Sequence, residues 1–231
     1  SQIIPTATRI KKRGGVLRFS VNHAWPVKEK YPDAQFLEFG VYQGKDIALI
    51  ASFITEKENR GYQGKQKTAI HGFDSFEGLP EEWNNGQRAD DGSLLFQAGA
   101  FDLGGVPPVV AAPNVELHQG WFEDTLPNFL DHHTAPIAFC HADADLYGST
   151  MTFLEEICCR KLLVVGSVIT FDEFSNYENW EGGEFLAWNE IVTKYRLEYQ
   201  FLCYHGPSDP TKLNTYGYQS VGVVITGVSA E

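Results

Sequence analysis

Residues 34–57 read AQFLEFGVYQGKDIALIASFITEK. The unbroken apolar run AQFLEFGV (34–41) predicts a strand buried on both faces, and KDIALIASFITEK (45–57) predicts the helix that follows it. Gly40 and Gly44 punctuate the turn between them. Strand, glycine turn and helix open a βαβ unit, whose second strand is expected at TAIHGFDS (68–75). Further strands are expected at NVELHQGW (114–121), PIAFCHAD (136–143), LVVGSVITFDE (163–173), EYQFLCYH (198–205) and YQSVGVVIT (218–226). Helices are expected at STMTFLEEICCRKL (149–162) and GEFLAWNEIVTKY (183–195). Strands alternating with helix-length segments predict an α/β fold with a mostly parallel central sheet and helices on both faces. Residues 34–231 form the expected domain, and residues 1–33 form a preface packing on it. A stretch rich in Gly, Pro, Asn and Asp, about 80–112, is too long for an ordinary connection and predicts a lid. Its aromatic residues Trp83, Phe96 and Phe101 would pack on something when it closes.

At 231 residues the chain has room for one sizeable core. Its net charge of −12 argues against nucleic acid or an anionic membrane as a main partner, since both call for clustered Lys and Arg. The basic run RIKKRGGVLR (9–18) reads as a solvated terminal segment. Cys140, Cys158, Cys159 and Cys203 show neither a CxxC pair nor a disulfide framework, and a reducing cytoplasm is the expected setting. No run approaches the roughly 18 apolar residues of a membrane span, and no signal-peptide core is seen at the N-terminus.

Acidic residues stand where the apolar runs break. Glu38, Asp74, the pair Asp143 and Asp145, and the pair Asp172 and Glu173 all fall at expected strand exits. Those exits share one edge of a parallel sheet, where open α/β folds bind ligands. The loop Glu38-Phe39-Gly40-Val41-Tyr42-Gln43-Gly44 lacks the GxxxxGK[ST] of a phosphate-gripping loop. It also lacks the dinucleotide fingerprint GxGxxG, because position 42 is Tyr. An S-adenosylmethionine site remains, with Glu38 facing the cationic end of that cofactor. Asp74 is placed to accept ribose hydroxyls, or else to cap the turn that begins at Ser75. Asp143 and Asp172, with Glu173 beside them, make an oxygen-only set suited to Mg²⁺ rather than zinc. A cation there would bind a substrate hydroxyl and lower its pKa. Alternatively, some of these acids, Asp145 above all, cap helices.

The stretches FLEFGVYQGK (36–45), GFDSFEGLP (72–80), HQGWFEDTLP (118–127), DADLYGSTMTFLEEI (143–157) and ITFDEFSN (169–176) resemble the macrocin O-methyltransferase (TylF/MycF-type) family. The resemblance implies a Rossmann-like class I methyltransferase fold. It also implies an S-adenosylmethionine- and Mg²⁺-dependent O-methyltransferase acting on a sugar or a glycosylated natural product. By this likeness the metal ligands fall on Asp143, Asp172 and Glu173. Cofactor contacts fall on Glu38, Gly40, Tyr42, Gly44, Asp74, Ser75 and Asp143, with Gly120 and Trp121 near the adenine. The family also implies a homo-oligomer, a dimer or higher.

The chain departs from the family's DGDLY and DDY, reading Asp143-Ala144-Asp145 and Asp172-Glu173-Phe174. Asp143 and Asp145 are the expected catalytic residues. Asp145 is the candidate base by proximity, with Glu81, Glu82, Asp90 and Asp91 of the lid as alternatives. His141 reads as a buried strand residue. Two other functions fit parts of the pattern: a metal-dependent glycosyltransferase using Asp143-Ala144-Asp145 as its DxD, and a non-catalytic adenosylmethionine-binding protein.

Overall fold

The computed structural model describes residues 7–61, 67–206 and 219–228. The described residues begin with a short strand β1 (Thr8–Arg9) and a long helix α1 (Arg13–Lys30), followed by β2 (Gln35–Phe39), α2 (Lys45–Asn59) and β3 (Ile70–Asp74). A two-stranded ribbon, β4 (Trp83–Arg88) and β5 (Leu94–Phe96), interrupts the alternation. It resumes with β6 (Val115–Gln119), α3 (Phe122–His132), β7 (Ile137–Ala142), α4 (Tyr147–Cys159) and β8 (Leu163–Ser175). A 3-10 turn at Trp180–Gly182 leads into α5 (Glu184–Tyr195), β9 (Glu198–His205) and β10 (Gln219–Gly227).

Among the described residues, eight strands form one sheet in the order β1-β9-β10-β8-β7-β2-β3-β6. β2 lies between β3 and β7 and is parallel to both, so strand order reverses at the β2/β7 boundary. That reversal opens a crevice at the carboxyl ends of the two strands. β10 is antiparallel to both neighbours, inserted between β8 and β9.

The strands alternate side chains between two cores. Leu37 and Phe39 of β2 join Leu126, Phe153, Leu154 and Trp188 beneath α3, α4 and α5. Phe36 of the same strand joins Val21, Trp25, Ile47 and Ile54 beneath α1 and α2. Helix α1 has no clean apolar stripe and contains Gly14, Gly15 and Pro26. Helix-interior Gly and Pro cost roughly 1 and 3 kcal/mol. Val16, Leu17, Val21, Ala24 and Trp25 are nonetheless nearly or fully buried. At roughly 1.5–3 kcal/mol for each large apolar side chain, their packing outweighs that penalty. Among the described residues no helix is long and apolar enough to cross a membrane.

Candidate active site

Gly40 leaves β2 at φ 87°, and a Cβ there would lie 1.8 Å from the carbonyl oxygen of Asp143. Only glycine satisfies both the left-handed backbone and this approach of the β2 and β7 exits. The loop it begins is held by a side chain of the next strand. Asp74 Oδ2 accepts the N–H groups of Val41 and Tyr42, each at 2.8 Å, and its Oδ1 accepts that of Phe76 at 2.7 Å. Asp74 thus caps its own turn and also pins the glycine loop. Two of the amides that a phosphate would need already face a carboxylate, so this loop is built for a ligand without phosphate at that point.

A cavity of about 570 Å³ opens above the loop. Of the expected cofactor residues, Gly40, Tyr42, Asp74, Ser75, Trp121 and Asp143 line it. Gly44 and Gly120 do not; both have positive φ and shape the backbone behind the wall. A Cβ on Gly44 would meet Val110 at 2.6 Å, and one on Gly120 would meet Thr125 at 2.8 Å. The segment after β3 supplies an aromatic wall, with Phe96 stacked on Phe101 and Tyr42 edge-on to Phe101. A smaller recess of about 220 Å³ shares Glu81, Trp83 and Asp145 with this cavity.

Glu38 differs from expectation. It lies outside the cavity wall, on the α1/α2 face of β2, fully buried, with Oε1 at 2.8 Å from His141 Nδ1. Strand alternation is the reason: Phe39 and Glu38 face opposite sides. Burial pushes the Glu38 carboxyl up to about 7, against the pull of His141. Burial alone would lower His141, but its hydrogen bond to Glu38 lifts it to about 9.

Three carboxylates converge at the cavity floor. Asp143, Asp145 and Glu173 each offer an oxygen, all within 4.8 Å of one another. Asp172, expected to join them, does not. It is adjacent to Glu173 in β8 and projects to the other face, where Oδ1 accepts from Arg13 Nε at 2.6 Å and Ser220 Oγ at 2.7 Å. Arg13 also reaches Asp143 at 3.0 Å and Asp46 at 2.9 Å. The basic segment is therefore not simply solvated: Arg13 begins α1 and sits among acids. No local signal in the sequence marks Arg13 for this role.

Burial first, and Asp172 next, push Asp143 up to about 7. Burial and neighbouring carboxylates hold Asp145, Glu173 and Glu184 well above the usual carboxylate range. Burial opposes the charge on Arg13, yet Asp172, Asp143 and Asp46 keep it protonated. Glu184 Oε2 accepts the Glu173 N–H at 3.1 Å, while Glu173 Oε2 is buried with no hydrogen-bond partner. An oxygen-only set of carboxylates too crowded to ionise together, with an unpartnered buried oxygen, fits a hard divalent cation, whose charge would let them ionise.

Sheet order, the antiparallel strand inserted between β8 and β9, and a glycine loop at the switch point define a Rossmann-like class I methyltransferase fold. Residues 37–174 match the family model described as "Methyltransferase domain" (Methyltransf_24), and the chain belongs to that family. Among solved structures it is similar to CalS11, a calicheamicin methyltransferase, at 23% identity and TM-score 0.55, covering 90% of this chain and 77% of that one. It is similar to the O-methyltransferase NovP at 21% identity and TM-score 0.58, covering 93% and 80%. An apo form of CalS11, described as a TDP-rhamnose 3'-O-methyltransferase, matches at 21% identity and TM-score 0.51, covering 90% and 77%. These likenesses establish the fold. No curated protein matches the chain in sequence.

Proposed function

We propose that the chain is an S-adenosylmethionine-dependent O-methyltransferase of the macrocin (TylF/MycF) type. Its acceptor is a hydroxyl of a sugar or a sugar-bearing small molecule, and its metal is Mg²⁺. One observation carries this reading: the Gly40–Asp74 loop and the trio Asp143, Asp145 and Glu173 face a single cavity. A donor site and an acceptor-activating site must adjoin for methyl transfer.

The chain's own residues divide the work. Gly40, Tyr42, Asp74 and Ser75 shape one end of the cavity for the donor, and Asp74 keeps unfilled lone pairs for hydroxyl groups. Trp121 supplies a flat apolar wall for a purine. Asp143, Asp145 and Glu173 would hold the divalent cation, which when bound supplies Lewis acidity to the acceptor hydroxyl. Asp145 borders both the cavity and the smaller recess; a bound cation would favour its ionised form, in which it would accept the hydroxyl proton. Trp83, Phe96 and Phe101, from the 80–112 segment, line the cavity, and closure of that segment would exclude water. The sugar acceptor is supported by the likeness to CalS11, a TDP-rhamnose 3'-O-methyltransferase, and by the recess of about 220 Å³ that adjoins the cavity.

Isothermal titration with adenosylhomocysteine, followed by incubation with adenosylmethionine, Mg²⁺ and a panel of TDP-sugars, tests the proposal. A methylated sugar that disappears in excess chelator is the expected product. Absence of adenosylhomocysteine binding, or stabilisation by a nucleotide sugar alone with glycosyl transfer, would sink it.

A further inference from the structure

We propose that His71, Glu116 and His118 form a second metal site, selective for a zinc-type transition-metal ion, on the outer edge of the sheet. It shares no residue with the acidic cluster and does not depend on the acceptor or donor assigned above.

Edge strand β6 pairs in parallel with β3, placing His71 opposite Glu116 and Phe73 opposite His118. With a two-residue side-chain period, all four project to the face covered by α3. His71 Nδ1 lies 3.1 Å from His118 Nε2 and 3.5 Å from Glu116 Oε2. One ligand atom from each of the three residues lies within 4.8 Å of the others. Zinc bonds of about 2.0–2.1 Å in a tetrahedron put neighbouring ligand atoms about 3.3 Å apart. The two distances to His71 straddle that spacing, so these donor atoms already stand about as far apart as bound ligands do.

The rings are also held in place. His118 stacks on Phe73 at 4.6 Å between centroids, and His71 packs on Phe129 at 4.8 Å. Fixing ligands before the ion arrives removes ordering cost from binding. Two imidazoles and a carboxylate are the donors zinc prefers, unlike the oxygen-only trio at the cavity floor. Glu116 is exposed on the edge strand, leaving a solvent path and a fourth position for water. His133 stays outside the set: its Nδ1 faces the Phe129 carbonyl at 2.8 Å. Bound there, the ion would clamp β6 to β3 just before Gly120 and Trp121, where the chain meets the cavity.

The competing explanation is an imidazole–imidazole hydrogen bond with Glu116 alongside. Chelator-treated, tag-free protein titrated with zinc by calorimetry, with metal content measured after gel filtration, separates the two. One zinc per chain is expected, and the cobalt form should show the intense visible bands of tetrahedral coordination. His118→Ala and Glu116→Ala should each weaken zinc binding roughly tenfold or more, while His133→Ala and Asp143→Asn leave it within about twofold. Zinc that fails to stay with the wild-type chain, binds His118→Ala as well as wild type, or is lost in Asp143→Asn overturns the site.

Discussion

Arg13 Nε donates to Asp172 Oδ1 at 2.6 Å, joining the first residue of α1 to a buried acid of β8. The same guanidinium touches Asp143 and Asp46, so one cation from the N-terminal helix offsets part of the charge at the sheet edge. Arg13→Ala leaves Asp172 with the Ser220 hydroxyl still donating to it. Breaking a fully buried pair costs about 3–5 kcal/mol. Arg13 is 46% exposed, and solvent screening lowers the expectation to about 1–2 kcal/mol. Urea unfolding should show that loss, and Mg²⁺ should raise the melting temperature more in the variant than in wild type. An equal response to Mg²⁺ would separate Arg13 from the carboxylate trio.

Gly40→Ala forces a Cβ against the Asp143 carbonyl at a positive φ. The backbone penalty alone is about 1–3 kcal/mol, and the clash must also move the β7 exit. The expected outcome is a markedly lower melting temperature together with loss of adenosylhomocysteine binding. A variant that keeps both would show that the two strand exits need not meet here.

Asp74→Ala removes an acceptor from three amides at once. Hydrogen bonds to a charged group contribute about 1.5–3 kcal/mol each, so both folding and cofactor affinity should fall. Asp74→Asn keeps an acceptor oxygen and should recover part of the stability. Calorimetry with adenosylhomocysteine on both variants distinguishes the two contributions: recovered stability without recovered affinity assigns the carboxylate a direct contact with the ligand.

The Glu38–His141 pair sets a pH dependence. Folding raises Glu38 from 4.5 to about 7 and His141 from 6.5 to about 9. The native state therefore holds more protons than the unfolded chain between these limits, and its stability falls as pH rises. The His141 share is complete below pH 6.5 and is lost as pH climbs to about 9, a change on the order of 3 kcal/mol. Urea unfolding from pH 6 to 9 should show the decline, and His141→Gln should flatten it. A variant with the wild-type slope would place the titration elsewhere.

Legibility followed burial. β2, β3 and β7 were readable because strands covered on both faces are nearly continuous apolar runs, and their limits fall within two residues of expectation. Helix α1 was not readable, since its order comes from packing against the sheet rather than from a stripe. The ribbon β4–β5 was hidden because WNNGQR carries no alternation of apolar and polar residues. At the site, the acids were visible as strand-end residues, but their facing was not. Asp172 and Glu173 were expected on one ion, and Glu38 at the cofactor. Knowing where each strand truly ends decides which neighbour looks inward, and β8 runs to Ser175 rather than stopping at the acids. Arg13 could not be paired with Asp172 by any local pattern.

The insertion of β10 between β8 and β9 has a consequence for biosynthesis. β8 offers a bare edge of unpaired peptide groups until residues near 221–224 have emerged from the ribosome to register against 168–171. β9 can join the sheet only through that late arrival, and β1, made first of all, must wait to pair with β9. The nascent chain thus exposes a sticky margin from the completion of β8 at Ser175 until β10 arrives at Gln219–Gly227, a window in which chaperone protection has the most to do.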